Sequence, residues 1–361
     1  MDNVNEEILK RNLLALIPPN PNGSVILTTR NKTIAEETAS TAGNIFEVKA
    51  LKPEDAKIVL LDIINVKELC PVEDAFVTEL IRRLAYHPLA ISYAGCYIYH
   101  KAISVSRYID LFETTSELVP YSQRIVEPGQ RNNLNPSGLI PVAVTLMISF
   151  DEIQRLNPFS ADILSLMGCL ASQNIPRCLL TLGCKDEDSM ELNAALELLK
   201  KYSFITGDSQ DQYFDIPDTV YLQIRERPHP NHSLKQWMKS SISAILRYFP
   251  ADPSLEASNL EMCDSLLPHA EAILNYPCAD VEIEAIRLDL AYCCCHYLQL
   301  KGCQNQALRL AKDAASRAES SFGKDYPKTF TIQAQLAILL RETGDLVQAR
   351  EFNERIVAGR S

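Results

Sequence analysis

The chain has 361 residues, 47% of them hydrophobic and 22% charged, with 35 Lys and Arg against 46 Asp and Glu. The apolar content excludes disorder over most of the length, and a net charge of −11 argues against a binder of phosphate backbones, so no nucleic-acid partner is expected. No apolar run reaches the ~18 residues of a membrane span, and the acidic opening Met1-Asp2-Asn3-Val4-Asn5-Glu6-Glu7 lacks the basic and apolar regions of a secretion signal. A cytoplasmic chain without a membrane partner is therefore expected.

At roughly 100–200 residues per domain, two or three units are predicted. Residues 6–17 read as a short helix, closed by the turn cluster Pro18-Pro19-Asn20-Pro21-Asn22-Gly23. The β-branched run Ser24-Val25-Ile26-Leu27-Thr28-Thr29 reads as a buried strand, followed by a helix over about 32–41 and a second strand, Ile45-Phe46-Glu47-Val48. Two strands cannot make a stable doubly wound domain, so this is expected to be the tail end of a larger sheet or to pair with something else.

Helices are predicted from Pro53 onward, with further ones near 72–86, 88–102 and 105–115. Pro53 suits the first helical turn, and Glu54 and Asp55 face the positive end of the dipole. Turn formers crowd residues 118–140 (Pro120, Pro128, Gly129, Asn132, Asn133, Asn135, Pro136 and Gly138) and mark a linker. From Val142 to about Arg227 the pattern is helical, with an amphipathic segment from Leu192 to Tyr202. A hairpin then runs through Ser203-Phe204-Ile205-Thr206 and Tyr213-Phe214-Asp215-Ile216, which suggests a winged helix.

Residues 233–361 are helical and repeat. A shift of 42 residues superposes Cys295 on Ala337, Leu298 on Leu340, Gly302 on Gly344, Ala307 on Ala349 and Leu310 on Phe352. The frame is a helix, a glycine at a tight turn, and a second helix with a small residue where two helices approach. Stacked helical hairpins follow, burying their apolar faces only against neighbours.

No C-x-x-C occurs among the eleven cysteines, which read as reduced core thiols. His87, His229, His232 and His269 lack metal-ligand spacing and read as surface residues. No nucleophile with its base is legible.

In this order the pieces resemble the NB-ARC nucleotide-binding signalling proteins of fungi that carry tetratricopeptide repeats. Gly23-Ser24-Val25-Ile26-Leu27-Thr28-Thr29-Arg30 matches the family strand ending in Thr-Thr-Arg, whose arginine senses the γ-phosphate. The resemblance thus implies nucleotide contacts at Thr29 and Arg30. Phe46-Glu47-Val48-Lys49-Ala50-Leu51 looks like the segment leading into the helical lid. Tyr86-His87-Pro88-Leu89-Ala90 resembles the Gly-x-Pro-Leu-Ala motif, which places Pro88 on the adenine. Asp2 would be the magnesium-binding acid, and ADP or ATP with Mg the cofactor. Ile148-Ser149-Phe150-Asp151 and Asn174-Ile175-Pro176 fit the winged-helix segment, and Phe322-Gly323-Lys324-Asp325-Tyr326-Pro327-Lys328-Thr329 looks like the kinesin-light-chain variety of the repeat.

The implied fold is mainly α: a remnant of a P-loop NTPase α/β sheet (1–50), a helical lid (51–117), the linker (118–140), a winged helix (141–230) and an α-solenoid of tetratricopeptide type (233–361). Two departures stand out. No G-x-x-x-x-G-K-[S/T] loop occurs in the sequence, and Ile216-Pro217-Asp218 stands where the family has Met-His-Asp. Without the glycine loop and its lysine, nothing cradles the β- and γ-phosphates. The chain is therefore expected to be the distal part of a switch NTPase, weak or inactive toward nucleotide. The expected partner is a protein or peptide on the repeats; for the exposed end of the stack, either further repeats or homo-oligomerisation is expected. The alternative is a nucleotide-independent adaptor.

Overall fold

A computed structural model describes residues 25–29, 32–39, 44–118, 136–181, 189–226, 234–249, 258–276, 280–324 and 326–359. The chain divides into two compact units, residues 1–149 and 150–361.

The described residues of the first unit are helical: α1 (Lys32–Thr38), α2 (Pro53–Ile64), α3 (Pro71–Arg83), α4 (Pro88–Lys101) and α5 (Val105–Leu118). Proline opens α2, α3 and α4, where a missing N–H costs nothing. The start of α3 is fixed further by Cys70, whose N–H donates to the Glu73 carboxylate at 3.0 Å. α2 packs on α3 and α4, and α5 packs on α3 and α4. Leu60, Leu80, Leu84, Ile91, Tyr93 and Tyr108 are fully buried there. The approach of α2 to α4 depends on Gly95, where a Cβ would stand 2.7 Å from the Ile63 Cγ2.

The two strands expected before residue 50 do not form. Residues 25–29 and 45–50 are neither helix nor strand, so the anticipated sheet remnant is not a sheet among the described residues. A strand run needs a neighbouring ladder, and the sheet that is described lies in the second unit. The apolar side chains that would have been sandwiched are instead open, Phe46 at 86% and Val48 at 96% exposure. The helix expected at 6–17 lies outside the described residues.

α6 (Pro136–Leu156) spans the boundary of the two units and carries Pro141 in its interior. Its first turn occupies the end of the stretch expected as linker; the rest of that stretch, 119–135, lies outside the described residues. The second unit continues with α7 (Pro158–Met167), β1 (Ile175–Pro176), a 3-10 turn at Arg177–Leu180, α8 (Met190–Lys201), β2 (Thr206–Gly207), β3 (Tyr213–Asp215) and α9 (Asp218–Glu226). The sheet is antiparallel with order β1-β3-β2; Ile175 faces Phe214, and Gly207 faces Phe214 from the other side. β2 and β3 are the expected hairpin. β1 was not foreseen as a strand, because a two-residue Ile-Pro segment shows no alternation.

Three helical hairpins complete the chain: α10 (Leu234–Tyr248) with α11 (Ser258–Leu274), α12 (Val281–Leu300) with α13 (Gln304–Phe322), and α14 (Pro327–Glu342) with α15 (Leu346–Gly359). α12 packs on α10, α11 and α13, and α14 on α12, α13 and α15, which is the contact pattern of a stacked solenoid. The 42-residue repeat extends to single hydrogen bonds. Gly302 N–H donates to Gln299 O at 3.0 Å and Cys303 N–H to Leu298 O at 2.9 Å. One repeat later, Gly344 donates to Arg341 O at 3.2 Å and Asp345 to Leu340 O at 2.8 Å. Both glycines are left-handed, at φ +78° and +89°, as this helix-ending turn requires. Ala307 and Ala349, just beyond, are buried where the paired helices approach.

Candidate functional site

The residues singled out from the sequence fall unevenly on the described structure. Arg30 and Asp2 lie outside the described residues. Thr29 is half-buried and ends the extended segment 25–29. Pro88 is exposed at the first position of α4.

The turn before Pro88 has a specific build. α3 ends with Ala85 N–H donating to Arg82 O at 3.1 Å and Tyr86 N–H to Ile81 O at 3.2 Å. Ala85 and Tyr86 are both left-handed, at φ 51° and 57°. Side-chain-bearing residues there cost on the order of 1 kcal/mol each. Tyr86 stands where the motif it resembles has glycine, the residue that adopts such a conformation without strain. The Tyr86 carbonyl accepts from Leu51 N–H at 3.1 Å. That bond brings together two segments recognised separately in the sequence, Phe46–Leu51 and Tyr86–Ala90. His87 follows in extended conformation and caps α4 through its carbonyl, which accepts from Ile91 N–H at 3.0 Å. Its Nδ1 is buried with no hydrogen-bond partner, and burial pushes its pKa down. The surface reading of His87 thus gives way to a half-buried ring.

The second unit has its own polar joints. His269 was read as a surface residue, but it is buried, because α11 packs on β1. Its Nε2 lies 3.0 Å from the Asn174 carbonyl oxygen, its Nδ1 has no partner, and burial pushes its pKa down. Asn174 is itself left-handed, at φ 53°, and its N–H donates to Asp215 at 2.6 Å. Ile216, in the segment aligned with Met-His-Asp, is buried and donates to Ser172 O at 2.7 Å. The Arg225 guanidinium stacks 4.2 Å from the Tyr276 ring centre. These contacts tie the β-containing module to the helical stack.

Within the stack, Glu284 is buried between two arginines: Arg287 Nη1 donates to its carboxylate at 2.9 Å, and Arg317 Nε lies 3.1 Å from it. Both guanidiniums also donate to the Leu274 carbonyl at the end of α11, Arg317 at 2.8 Å. Sequence reading missed this triad, since nothing in the spacing of 284, 287 and 317 shows that an apolar helix turns them inward. On α8, Lys200 faces acids, bridging Glu197 at 3.0 Å and Asp211 at 2.6 Å.

Of the cysteines described, Cys169, Cys178, Cys263, Cys294 and Cys295 are buried and all nine are free thiols. Burial pushes the Cys169 and Cys295 thiols up to about 12, which keeps them protonated and unreactive. Among the described residues no group of three or more His, Cys, Asp or Glu is placed to hold a metal, and no helix is long and apolar enough to cross a membrane.

No protein-family model matches the chain. It is 27% identical over 323 residues to a protein of Hyaloscypha variabilis named a nucleotide-binding leucine-rich repeat (NLR)-like protein. The match covers 88% of this chain and 31% of the relative, so the chain spans about a third of the length of the protein it resembles and the match reaches into both of its units.

Proposed function

We propose that this chain is a stretch of a nucleotide-binding, receptor-type signalling protein of the NB-ARC kind. In this reading it runs from the end of the nucleotide-binding core (1–50), through a helical lid (51–117) and a winged helix (141–230), into tetratricopeptide-like repeats (233–361) that dock a protein or peptide. The observation that carries it is the reach of the match, 88% of the chain in a protein named for nucleotide binding and repeats. The resemblance assigns the γ-phosphate to Thr29 and Arg30, the adenine to Pro88 and magnesium to Asp2. The helix–sheet–helix order of residues 158–226 supports the winged helix, and the duplicated glycine turn supports the repeats.

The donor set does not fit a bound triphosphate by itself. The exposed ring of Pro88 and the left-handed Tyr86 offer an adenine-side surface, but these 361 residues include no glycine loop with its lysine to grip phosphates. No hydrolytic step is therefore assigned. Titration calorimetry with ADP should show no saturation below millimolar concentration, and micromolar affinity would overturn the missing grip. Supplying ahead of Met1 a segment with a G-x-x-x-x-G-K-[S/T] loop and its strands should restore binding, weakened at least about tenfold by Arg30→Ala or Pro88→Ala. If binding is not restored even with the loop supplied, the second reading, a nucleotide-independent adaptor, is favoured.

A further inference from the structure

The β-containing module of residues 158–226 and the first hairpin of the stack meet along two contacts of different character. α10 packs on α7 and on the 3-10 turn, with Trp237, Met238 and Ile242 buried. α11 packs on β1, and there the contact is polar: His269 Nε2 stands 3.0 Å from the Asn174 carbonyl oxygen. A carbonyl only accepts, so Nε2 carries the proton of the neutral ring and Nδ1 its lone pair. Nδ1 is buried with no partner, in a residue that is 1% exposed.

A second proton has one place to go, Nδ1, and arrives there as a charge with no acceptor. The charged groups of the surrounding elements are engaged elsewhere. On α11 itself Asp264 pairs with Lys301, and Glu271 accepts from Gln306 at 2.7 Å. Lys235 and Lys239 of α10 pair with Glu282 at the start of α12, at 2.9 and 3.4 Å, and Arg287 and Arg317 converge on Glu284. On the side of β1, Asp215 accepts the Asn174 N–H at 2.6 Å, and Arg225 of α9 lies over Tyr276. Burial opposes the charge, and it pushes the His269 pKa below the ordinary value.

We infer that the contact between α11 and the Asn174 turn is an acid-released latch, in which protonation of His269 frees the turn while α10 keeps its hold on α7. One of the two contacts titrates and the other does not, so acid loosens the module on one side without detaching it. The inference uses the second unit alone and does not depend on the nucleotide reading.

Hydrogen exchange read by mass spectrometry on the whole 361-residue chain tests it, at pH 7.5 and 5.5, with the intrinsic pH dependence of exchange divided out. Peptides covering residues 172–177 and 262–274 should exchange at least about fivefold faster at the lower pH, while those covering α7, α10 and α14 keep their rates. In His269→Gln the side-chain amide can donate to the same carbonyl but takes no proton in this range, and the change should shrink below about 1.5-fold. Circular dichroism checks that the variant is folded. Should it not fold, the parent decides by itself: the acceleration must be confined to those peptides and begin near the ordinary histidine pKa of about 6.5. Equal rates at the two pH values, an acceleration spread over the whole second unit, or one that persists in His269→Gln overturns the inference.

Discussion

The helical unit of residues 53–118 and the hairpin stack of residues 281–359 close their helices with the same hydrogen-bonded turn, but they fill its left-handed position differently. The stack uses Gly302 and Gly344; the first unit uses Asn65, Ala85 and Ala102, at φ 57°, 51° and 48°. Ala102 N–H donates to Tyr99 O at 3.2 Å and Ile103 N–H to Ile98 O at 3.3 Å, which is the Gly302 pattern without the glycine. The regions differ again in how they hold a glutamate. Glu79 lies at the surface between Arg82 and Arg83, its side chain 35% exposed, whereas Glu284 is 5% exposed between Arg287 and Arg317. The stack thus has unstrained turns around a buried charge; the first unit has strained turns and its ion pairs in water. Identical hydrogen bonds do not imply identical energetics.

The sharpest way to break that comparison is at the two glutamates. Glu284→Ala leaves Arg287 buried without its anion and should cost about 3–5 kcal/mol in urea unfolding. Glu79→Ala should leave the midpoint unchanged, even though Arg82 and Arg83 pull the Glu79 carboxyl down to about 2, because that pair is screened by water. Equal losses at the two positions would refute the contrast.

A smaller effect is expected from pH at the joint between α11 and β1. The His269 pKa is depressed in the folded chain, so the unfolded chain binds its proton first as pH falls. Its contribution is fully present above the unfolded pKa of about 6.5 and is lost as pH drops from there toward the folded pKa, by up to about 1.4 kcal/mol per pH unit. Denaturant midpoints measured from pH 7 to 5 should fall more steeply for the parent than for His269→Gln.

The turns give the smallest effects, with opposite signs. Gly302→Ala and Gly344→Ala should each destabilise by about 1 kcal/mol, since nothing lies within 4 Å of either added methyl and backbone strain alone acts. Ala102→Gly should stabilise by somewhat less than about 1 kcal/mol, as strain relief outweighs the added freedom of the unfolded chain. Thermal melts of the three variants check both signs.

The helices were legible because proline, acids and apolar spacing agree along residues 53–118, and the repeat because two glycines and the small residues around them recur in register. The strands before residue 50 misled. Val25-Ile26 and Phe46 through Val48 have the right residue types, but strand formation is decided by a neighbour that no local pattern supplies. The candidate site was legible as motif fragments alone. The bond from Leu51 to Tyr86 that joins two of them, the buried ring of His269 and the inward turn of Glu284 are tertiary facts. Each depends on which face of a helix is covered, and the mixed faces of α11 and α12 gave no sign of it.

The recurring glycine turn bears on how such a chain could lengthen. The two bonds that close the turn after α12, from Gly302 and Cys303, recur after α14 at the same offset, so a tandem in-frame duplication of one such stretch would slot into the pile without shifting any neighbour's register. Growth or trimming by whole hairpins would then be an easy route for evolution, and changes of intermediate length a hard one.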